Sequence, residues 1–432
     1  MKDWKRGTNP HSPFTWVPTL YIAEGVPYII AMTVSVVLYK NLGISNRDIA
    51  LYTGAFYLPW VIKPLWSPLI DLLLTRRSWV LKTEFFITLT LLAVALSIPS
   101  ASFFPITLFF FWLMAFSSAT HDTAADGFYL LGLKTHEQAA FVGVRTAFYR
   151  VATIAAKGGV VITAGFLEAK GIPSPTAWSL VFYGIALFFL LLFCYHYFIL
   201  PYPRGDERRF HSQVRFFSQF FDAFASFFRK KGILTFIAFF LLYRFAEAQL
   251  VKMVAPFLLD PPSRGGLGLT TAQVGFAYGT VGVTALMLGG LLGGYAVYRK
   301  GLKYWLWIMV SAMHVPDLIF LYFAYALPQN LLLISFGIAI EQFGYGFGFT
   351  AFTMVMLLVA KGEYQTVHYA IATGIMAFGM MIPAMISGYL QELLGYKHFF
   401  LWVILATIPG FVVTGLVKVE PHFGKKIERH DR

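Results

Sequence analysis

The feature that most limits how this chain can fold is a repeated run of apolar residues. Stretches of about 20 residues or more with little charge recur along the sequence, and each is long enough to cross a bilayer as a helix. Hydrophobic residues make up 58% of the 432 residues and charged residues 13%, whereas soluble domains carry about 25% charged residues. The sequence therefore predicts an all-α membrane protein.

The apolar stretches form two groups of six. We predict twelve transmembrane helices, at roughly residues 14–39, 48–72, 84–104, 105–133, 139–168, 176–200, 233–259, 271–298, 303–326, 328–358, 366–394 and 398–418. The segment between the groups is polar and basic, and its phenylalanines fall at helical spacing, as in a helix lying on a membrane surface. The expected domains are a six-helix bundle over residues 1–200, an amphipathic linker over 201–232 and a second six-helix bundle over 233–432.

The positive charges fall mainly on one side of this predicted topology. Most of the 34 Lys and Arg residues lie in the two termini and in the loops after the even-numbered spans. The positive-inside rule then places both termini in the cytoplasm. The net charge of +13 is explained by topology and by contact with anionic lipid, so we expect no nucleic-acid partner.

The two halves share a weak sequence repeat. Ser67 and Asp71, followed by Arg76 and Arg77, have a Gly-x-x-x-Gly counterpart with two basic residues at the same place in the second half. Two pseudo-symmetric six-helix bundles are the layout of major facilitator transporters. A small residue lets helix ends approach, and an acid near basic residues can latch them, so these four residues are a candidate conformational gate. Ordinary positive charge after a membrane helix remains an alternative interpretation.

Acidic residues inside the fourth span indicate a polar pathway. A charged residue near the centre of a membrane helix costs roughly 2.5–3.5 kcal/mol on insertion scales. Asp122 and Asp126 are four residues apart and share one helix face, with His121 about 100° away around the helix. The fifth span offers Arg145 and Arg150 among its candidate partners. Which base binds which acid, and which acid carries a proton, stays open at this point.

Other ionisable or aromatic residues fall inside predicted spans and complete the candidate substrate or proton pathway. The predicted pathway residues are Glu24, Lys63, His121, Asp122, Asp126, Arg145, Tyr149, Arg150, Lys157, Glu247 and Glu341. Glu341 stands among glycines and aromatic residues, which favours the wall of a cavity. The single cysteine, Cys194, excludes an internal disulfide framework and a cysteine-based metal site, and we expect no metal and no cofactor.

Four short motifs resemble a known transporter family. The segments LPWVIKPLWSPLID (58–71), HDTAADGF (121–128), AFYRVA (147–152) and EGVP (24–27) are similar to signatures of AmpG-type muropeptide permeases and the related acetyl-CoA transporters. The resemblance covers about residues 18–165. His121 stands where that family usually has Gln, and Glu24 replaces a neutral polar residue. The first three motifs carry over to Lys63, Trp66, Asp71, Asp122, Asp126, Tyr149 and Arg150.

The resemblance implies a proton-coupled importer of anhydromuropeptides in the bacterial inner membrane. Its substrate would be an anionic sugar–peptide, its other partner membrane lipid and its energy source the proton gradient, and we expect a monomer. Transport of another polar or anionic solute (an acyl nucleotide, a sugar–peptide or a drug) and a membrane sensor that no longer transports are the alternatives. His121 and Asp126 also have the H-x-x-x-x-D spacing of acyltransferases, but they lie inside a membrane helix, so we predict that the protein is not an enzyme.

Overall fold

The computed structural model describes residues 12–203, 205–206 and 213–426, and the regular structure of these residues is helical. The helices before residue 204 are α1 (Pro13–Asn41), α2 (Asn46–Ala55), α3 (Leu58–Leu73), α4 (Arg76–Ser97), α5 (Phe103–Gly132), α6 (135–169) and α7 (Ser174–Ile199). The later helices are α8 (Gln213–Phe228), α9 (Ile233–Leu259), α10 (Thr271–Lys300), α11 (Leu302–Ala326), α12 (Leu331–Ala360) and α13 (Gln365–Leu416).

Ten of the described helices are long and apolar enough to cross a membrane, and two differences account for the twelve spans that the sequence predicts. The predicted second span is divided into α2 and α3 by a turn at Phe56 and Tyr57. Pro59 follows that turn, and proline lacks an amide hydrogen and disfavours helix in the residue before it. Each half of this span is therefore too short to be counted as a membrane helix by itself.

The second difference lies at the end of the chain, where two predicted spans form the single element α13. Gly395 has φ 68° and ψ 165° inside this element, so the helix turns sharply there. A positive φ is accessible to glycine without the steric cost that a Cβ would add. The two spans predicted on either side of this residue are therefore joined through a glycine kink and not through a loop.

The described residues form two compact units. The first contains the residues up to Leu42 and Ile62–Phe217, and the second contains Gly43–Val61 and the residues from Ser218 onward. Helix α2 thus belongs to the second unit, where it packs on α13. The predicted domain boundaries at residues 200 and 232 remain a prediction.

Glycines allow the close helix packing within the second unit. A Cβ on Gly388 of α13 would lie 2.1 Å from the backbone oxygen of Asn46 in α2. A Cβ on Gly346 of α12 would lie 2.0 Å from the backbone oxygen of Leu286 in α10. Small residues at such contacts let helix backbones approach, which is how membrane helices associate without a hydrophobic driving force.

Several membrane helices contain short non-α segments. Helix α1 has a π-helical turn at Ile30–Val34 and α6 has one at Ala155–Val160, and these two turns pack against each other. Helix α10 has a third at Gly275–Val281, and α11 contains a 3-10 turn at Val315–Asp317. Such turns often accompany functional sites in helices; Lys157 lies in the turn of α6 and Asp317 in that of α11.

Candidate functional site

Both aspartates of α5 form ion pairs with bases on neighbouring helices of the first unit. Lys63 Nζ of α3 lies 2.5 Å from Asp122 Oδ2. A terminal guanidinium nitrogen of Arg145, in α6, lies 3.0 Å from Asp126 Oδ1. Because Asp122 and Asp126 are four residues apart, their side chains leave the same face of α5. Each meets a base from a different helix, one that precedes α5 in the sequence and one that follows it.

Two tyrosines that were not among the predicted pathway residues hold the second of these pairs. The Tyr21 hydroxyl donates a hydrogen bond to Asp126 Oδ1 at 3.0 Å. The guanidinium carbon of Arg145 lies 4.7 Å from the centroid of the Tyr21 ring and 5.4 Å from that of Tyr129. A cation over aromatic faces gains electrostatic attraction from the rings, so Arg145 is held by a carboxylate and by two rings together.

Glu24 of α1 adds a third carboxylate to this group. Its side chain is 9% exposed, and its Oε2 has no hydrogen-bond partner among the described residues. It lies close enough to Asp122, Asp126, Lys63 and Arg145 to interact electrostatically with all four. These five residues, which we call the mixed-charge cluster, contain three carboxylates and two cations.

The ion pairs of the mixed-charge cluster are not sealed in a packed core. The side chains of Lys63 and Asp122 are 24% and 21% exposed, and those of Arg145 and Asp126 are 33% and 42% exposed. A partly exposed pair keeps access to water and solutes while each charge still has a partner.

Of the other predicted pathway residues of α6, Tyr149 lies beside the mixed-charge cluster. Tyr149 interacts electrostatically with Glu24 and Asp122 of the cluster and with Arg150. A Cβ on Gly25 would lie 2.9 Å from the Cβ of Ala152, so α1 and α6 approach closely next to Glu24. Lys157 is partly buried in the π-helical turn of α6.

His121 occupies a different environment from the aspartates that follow it. Its Nε2 lies 3.3 Å from Glu84 Oε1 of α4, and the same oxygen lies 2.6 Å from His196 Nδ1 of α7. The other ring nitrogen of His196 lies 2.9 Å from the Thr19 hydroxyl of α1. Glu84 and both histidines are fully buried, so this network joins four helices inside the first unit.

The partners of His121 were not predicted because the start of α4 was placed too late in the sequence. The predicted third span begins at residue 84, which placed Glu84 at the end of a membrane helix, whereas α4 begins at Arg76. The Thr75 hydroxyl caps this earlier start by accepting from the backbone amide of Ser78 at 3.1 Å. A cap residue in front of the apolar run is the signal that indicates the earlier helix start.

Arg77, one of the predicted gate residues, binds the end of α7. Its Nε donates to the backbone oxygen of Leu200 at 3.2 Å and a terminal nitrogen donates to that of Tyr197 at 2.6 Å. Its guanidinium carbon also lies 4.1 Å from the ring centroid of Tyr202. A cation at the carboxyl end of a helix interacts favourably with the unpaired carbonyls and the helix dipole.

The other predicted gate residues lie near the start of α4 and the end of α3. The backbone amides of Arg76 and Arg77 donate to Asp206 at 2.6 and 3.1 Å, and the Ser67 hydroxyl donates to the Pro64 carbonyl at 3.3 Å. The side chain of Asp71 lies outside the described residues. These contacts do not test the predicted gate.

The second unit brings Glu247 and Glu341 together with Asp317, which was not in the predicted pathway. One carboxylate oxygen from each residue lies within 4.8 Å of those from the other two, and all three side chains are buried. They come from α9, α11 and α12, and we call them the acid cluster. Asp317 is carried to this place by the 3-10 turn of α11, which the sequence does not reveal.

Comparisons with known proteins agree with this architecture. Residues 24–164 match the model of the BT1 family. A putative transporter, AmpG 4 of Rickettsia conorii, is 24% identical over 91% of this chain and 94% of its own length. The anhydromuropeptide permease of Escherichia coli is 22% identical over 91% of this chain and 77% of its own length. These relatives are transporters and permeases and not enzymes, as predicted.

Solved structures show the fold. The D-xylose-proton symporter structure has a TM-score of 0.68 at 13% identity, covering 96% of this chain and 99% of that chain. The predicted all-α architecture is confirmed, and the comparisons support a transporter. The chain is a multi-pass membrane protein with the major facilitator fold, and its sequence resembles those of AmpG-type transporters.

Proposed function

We propose that this protein imports anhydromuropeptides across the bacterial inner membrane by proton-coupled alternating access. The observation that carries the proposal is the mixed-charge cluster, in which two ion pairs and the buried Glu24 lie together on α1, α3, α5 and α6. The resemblance to AmpG-type permeases supports the substrate class. Both termini would lie in the cytoplasm, and the proton gradient would replace any cofactor.

The balance of charge in the mixed-charge cluster favours proton coupling. Three carboxylates face two cations, and a buried carboxylate beside other acids favours its protonated form. Glu24 is the most buried of the three and has an oxygen with no hydrogen-bond partner among the described residues. Glu24 is therefore our candidate for the group that takes up the proton.

The two ion pairs favour an anionic substrate. When an aspartate leaves its base or takes up a proton, the base becomes available to a carboxylate of the substrate, and Arg binds carboxylates through two parallel hydrogen bonds. Arg145 and Lys63 are partly exposed, so a solute can reach them. The rings of Tyr21 and Tyr129 beside Arg145 offer apolar faces on which a sugar ring can pack.

Uptake of labelled anhydromuropeptide into proteoliposomes tests the proposal. We expect the wild-type protein to accumulate the label only with an inward proton gradient, and Asp126→Asn to lose this accumulation. Glu363→Gln, which changes an exposed acid outside the candidate spans, is the control and should behave as the wild type. No uptake by folded wild-type protein would contradict the muropeptide assignment and favour another polar or anionic solute.

A further inference from the structure

Arg150 of α6 is a cation with no counter-charge at close range. Its side chain is partly buried, and it lies inside the candidate membrane span Ala140–Ala169. No carboxylate of the described residues lies within 4.0 Å of its guanidinium nitrogens, whereas Lys63 and Arg145 each have an aspartate within that distance. Its guanidinium group also donates no hydrogen bond to another described residue. The charge of Arg150 is therefore available to a ligand.

The depth of Arg150 in its span indicates a polar pathway. The residue lies well inside both ends of Ala140–Ala169. An ionised side chain at such a depth faces the interior of the helix bundle or a water-filled cavity, where it marks the path of a solute or an ion. The adjacent Tyr149 packs on α1, since a Cβ on Gly25 would lie 3.4 Å from its Cδ2. Arg150 therefore lies next to the contact between α6 and α1.

The hydroxyl of Tyr149 is a second donor beside Arg150. Tyr149 interacts electrostatically with Arg150 and with Glu24 of α1. Its hydroxyl forms no hydrogen bond with another residue that the structure describes, whereas the hydroxyl of Tyr21 donates to Asp126. A carboxylate accepts hydrogen bonds on both of its oxygens. Arg150 and the Tyr149 hydroxyl, which we call the donor pair, thus match a carboxylate.

The charges near the donor pair decide when it can bind an anion. The mixed-charge cluster has three carboxylates and two cations, Lys63 and Arg145, and Arg150 raises the number of cations to three. With every group ionised, these charges cancel. When Glu24 is protonated, one positive charge is left over. Because opposite charges attract most strongly where neither is compensated, the donor pair then favours an anion.

Protonation of Glu24 and binding of a carboxylate at the donor pair should favour each other. Glu24 is 9% exposed, and its Oε2 has no hydrogen-bond partner among the described residues. Linkage requires that each of the two binding events raises the affinity of the other by the same factor. A solute that binds more tightly together with a proton is carried with it, as a symporter requires.

We propose that Arg150 and Tyr149 bind a carboxylate of the transported solute and that they do so when Glu24 is protonated. The inference rests on the proposed function, to which it adds the residues that receive the anionic group. One excess positive charge matches a singly charged carboxylate, whereas a phosphate monoester carries about −1.5 to −2. Lys63 and Arg145 become available only after their aspartates leave, so the donor pair receives the solute first.

Binding of two matched probes to the purified full-length protein tests the proposal. The probes are anhydro-N-acetylmuramic acid, the acidic sugar of an anhydromuropeptide, and its neutral primary amide. Calorimetry gives the Kd of each at mildly acidic and mildly basic pH. At acidic pH, we expect the wild type to bind the acid about tenfold more tightly than the amide. At basic pH, its affinity for the acid should fall about fivefold.

Two variants and a matched control separate the roles of the residues. Arg150→Gln should bind the two probes within about twofold of each other at both pH values, since no excess positive charge is left. Glu24→Gln should bind the acid tightly at both pH values, because its side chain stays neutral. Lys170→Gln removes an exposed cation just after α6 and should keep both the preference for the acid and its pH dependence.

Equal binding of the two probes by the wild type would overturn the inference and leave the muropeptide assignment standing, as would a preference that Arg150→Gln retains. Binding of neither probe by folded wild-type protein would overturn the muropeptide assignment and this inference with it. If Arg150→Gln fails to fold, Tyr149→Phe removes only a hydroxyl and should weaken binding of the acid about fivefold. An unchanged Kd for the acid in this variant would contradict the donor pair.

Discussion

The carboxylates inside predicted spans have opposite surroundings in the two units. In the first unit, Asp122 and Asp126 each lie within ion-pair distance of a base, Lys63 and Arg145. In the second unit, three carboxylates lie beside one another and beside a histidine. In the mixed-charge cluster each aspartate is compensated by a base, whereas in the acid cluster the neighbouring charges are of one sign apart from His314, which lies beside Asp317. Carboxylates inside predicted spans therefore have two different kinds of surroundings in this molecule.

The largest effect should come from removing one partner of an ion pair in the mixed-charge cluster. Lys63→Met leaves Asp122 without its 2.5 Å partner, and breaking a fully buried pair costs about 3–5 kcal/mol. Because this pair is about one-fifth exposed, we expect a loss of about 2 kcal/mol in unfolding free energy and at least a tenfold slower uptake, roughly in line with a 1.4 kcal/mol change. Chemical unfolding and proteoliposome uptake measure the two effects.

The double variant Lys63→Met/Asp122→Asn is the control for this prediction. Since neither charge is left unpaired, it should recover most of the lost stability, although transport should stay impaired. A double variant as unstable as the single one would show that the two side chains do not act as a pair.

A smaller but more diagnostic effect concerns the change in unfolding free energy when one aspartate is neutralised. This change should have opposite signs in the two clusters. Asp122→Asn removes an attraction to Lys63 and should lower the unfolding free energy, whereas Asp317→Asn removes a like charge beside Glu247 and Glu341 and should raise it. Each change should be about 1 kcal/mol, the equivalent of a little under one pKa unit of interaction. Unfolding curves of both variants in the same buffer decide this; the comparison fails if the two changes in unfolding free energy have the same sign.

A conservative change at Arg145 should have a modest effect. Arg145→Lys keeps the charge near Asp126 but loses the planar guanidinium that lies over Tyr21 and Tyr129. Such a contact is worth about 0.5–1 kcal/mol at a partly exposed site. We expect the KM for uptake to rise about threefold with a nearly unchanged maximal rate. A loss confined to the maximal rate would instead assign Arg145 to the conformational step.

The smallest effect on coupling should be found at His121, which lies outside the mixed-charge cluster. His121→Gln can still donate to Glu84, so the network with His196 keeps most of its contacts. We expect the ratio of uptake with and without a proton gradient to stay within about twofold of the wild type, a difference of less than 0.5 kcal/mol. Loss of the gradient dependence in this variant would place His121 on the proton path.

The parts of this molecule that sequence predicts well are those that depend on local pattern. The apolar runs predict the helices, and the i,i+4 spacing of Asp122 and Asp126 predicts their common face. The identity of their partners is a tertiary property: Lys63 lies in another helix, far from Asp122 in the sequence. The pairing of Asp122 with Lys63 could not be chosen over one with the bases of the fifth span until the helices were placed.

The predictions that differed from the structure concern places where one residue changes the backbone. Pro59 divides a predicted span, and Gly395 joins two spans through a kink. The acid cluster was only partly anticipated, since Glu247 and Glu341 were predicted pathway residues while Asp317 is brought to them by a 3-10 turn. A helical periodicity argument assumes a regular helix, so it fails where the helix is interrupted.

The most direct test of whether Glu24 carries the coupling proton compares two transport modes in Glu24→Gln. If Glu24 carries the coupling proton, this variant should lose accumulation driven by a proton gradient while it still exchanges labelled for unlabelled anhydromuropeptide across proteoliposomes at equal concentrations. Exchange needs the substrate site and the access change but no net proton movement. Accumulation that keeps its full dependence on the gradient in Glu24→Gln would contradict the assignment of Glu24 as the proton carrier.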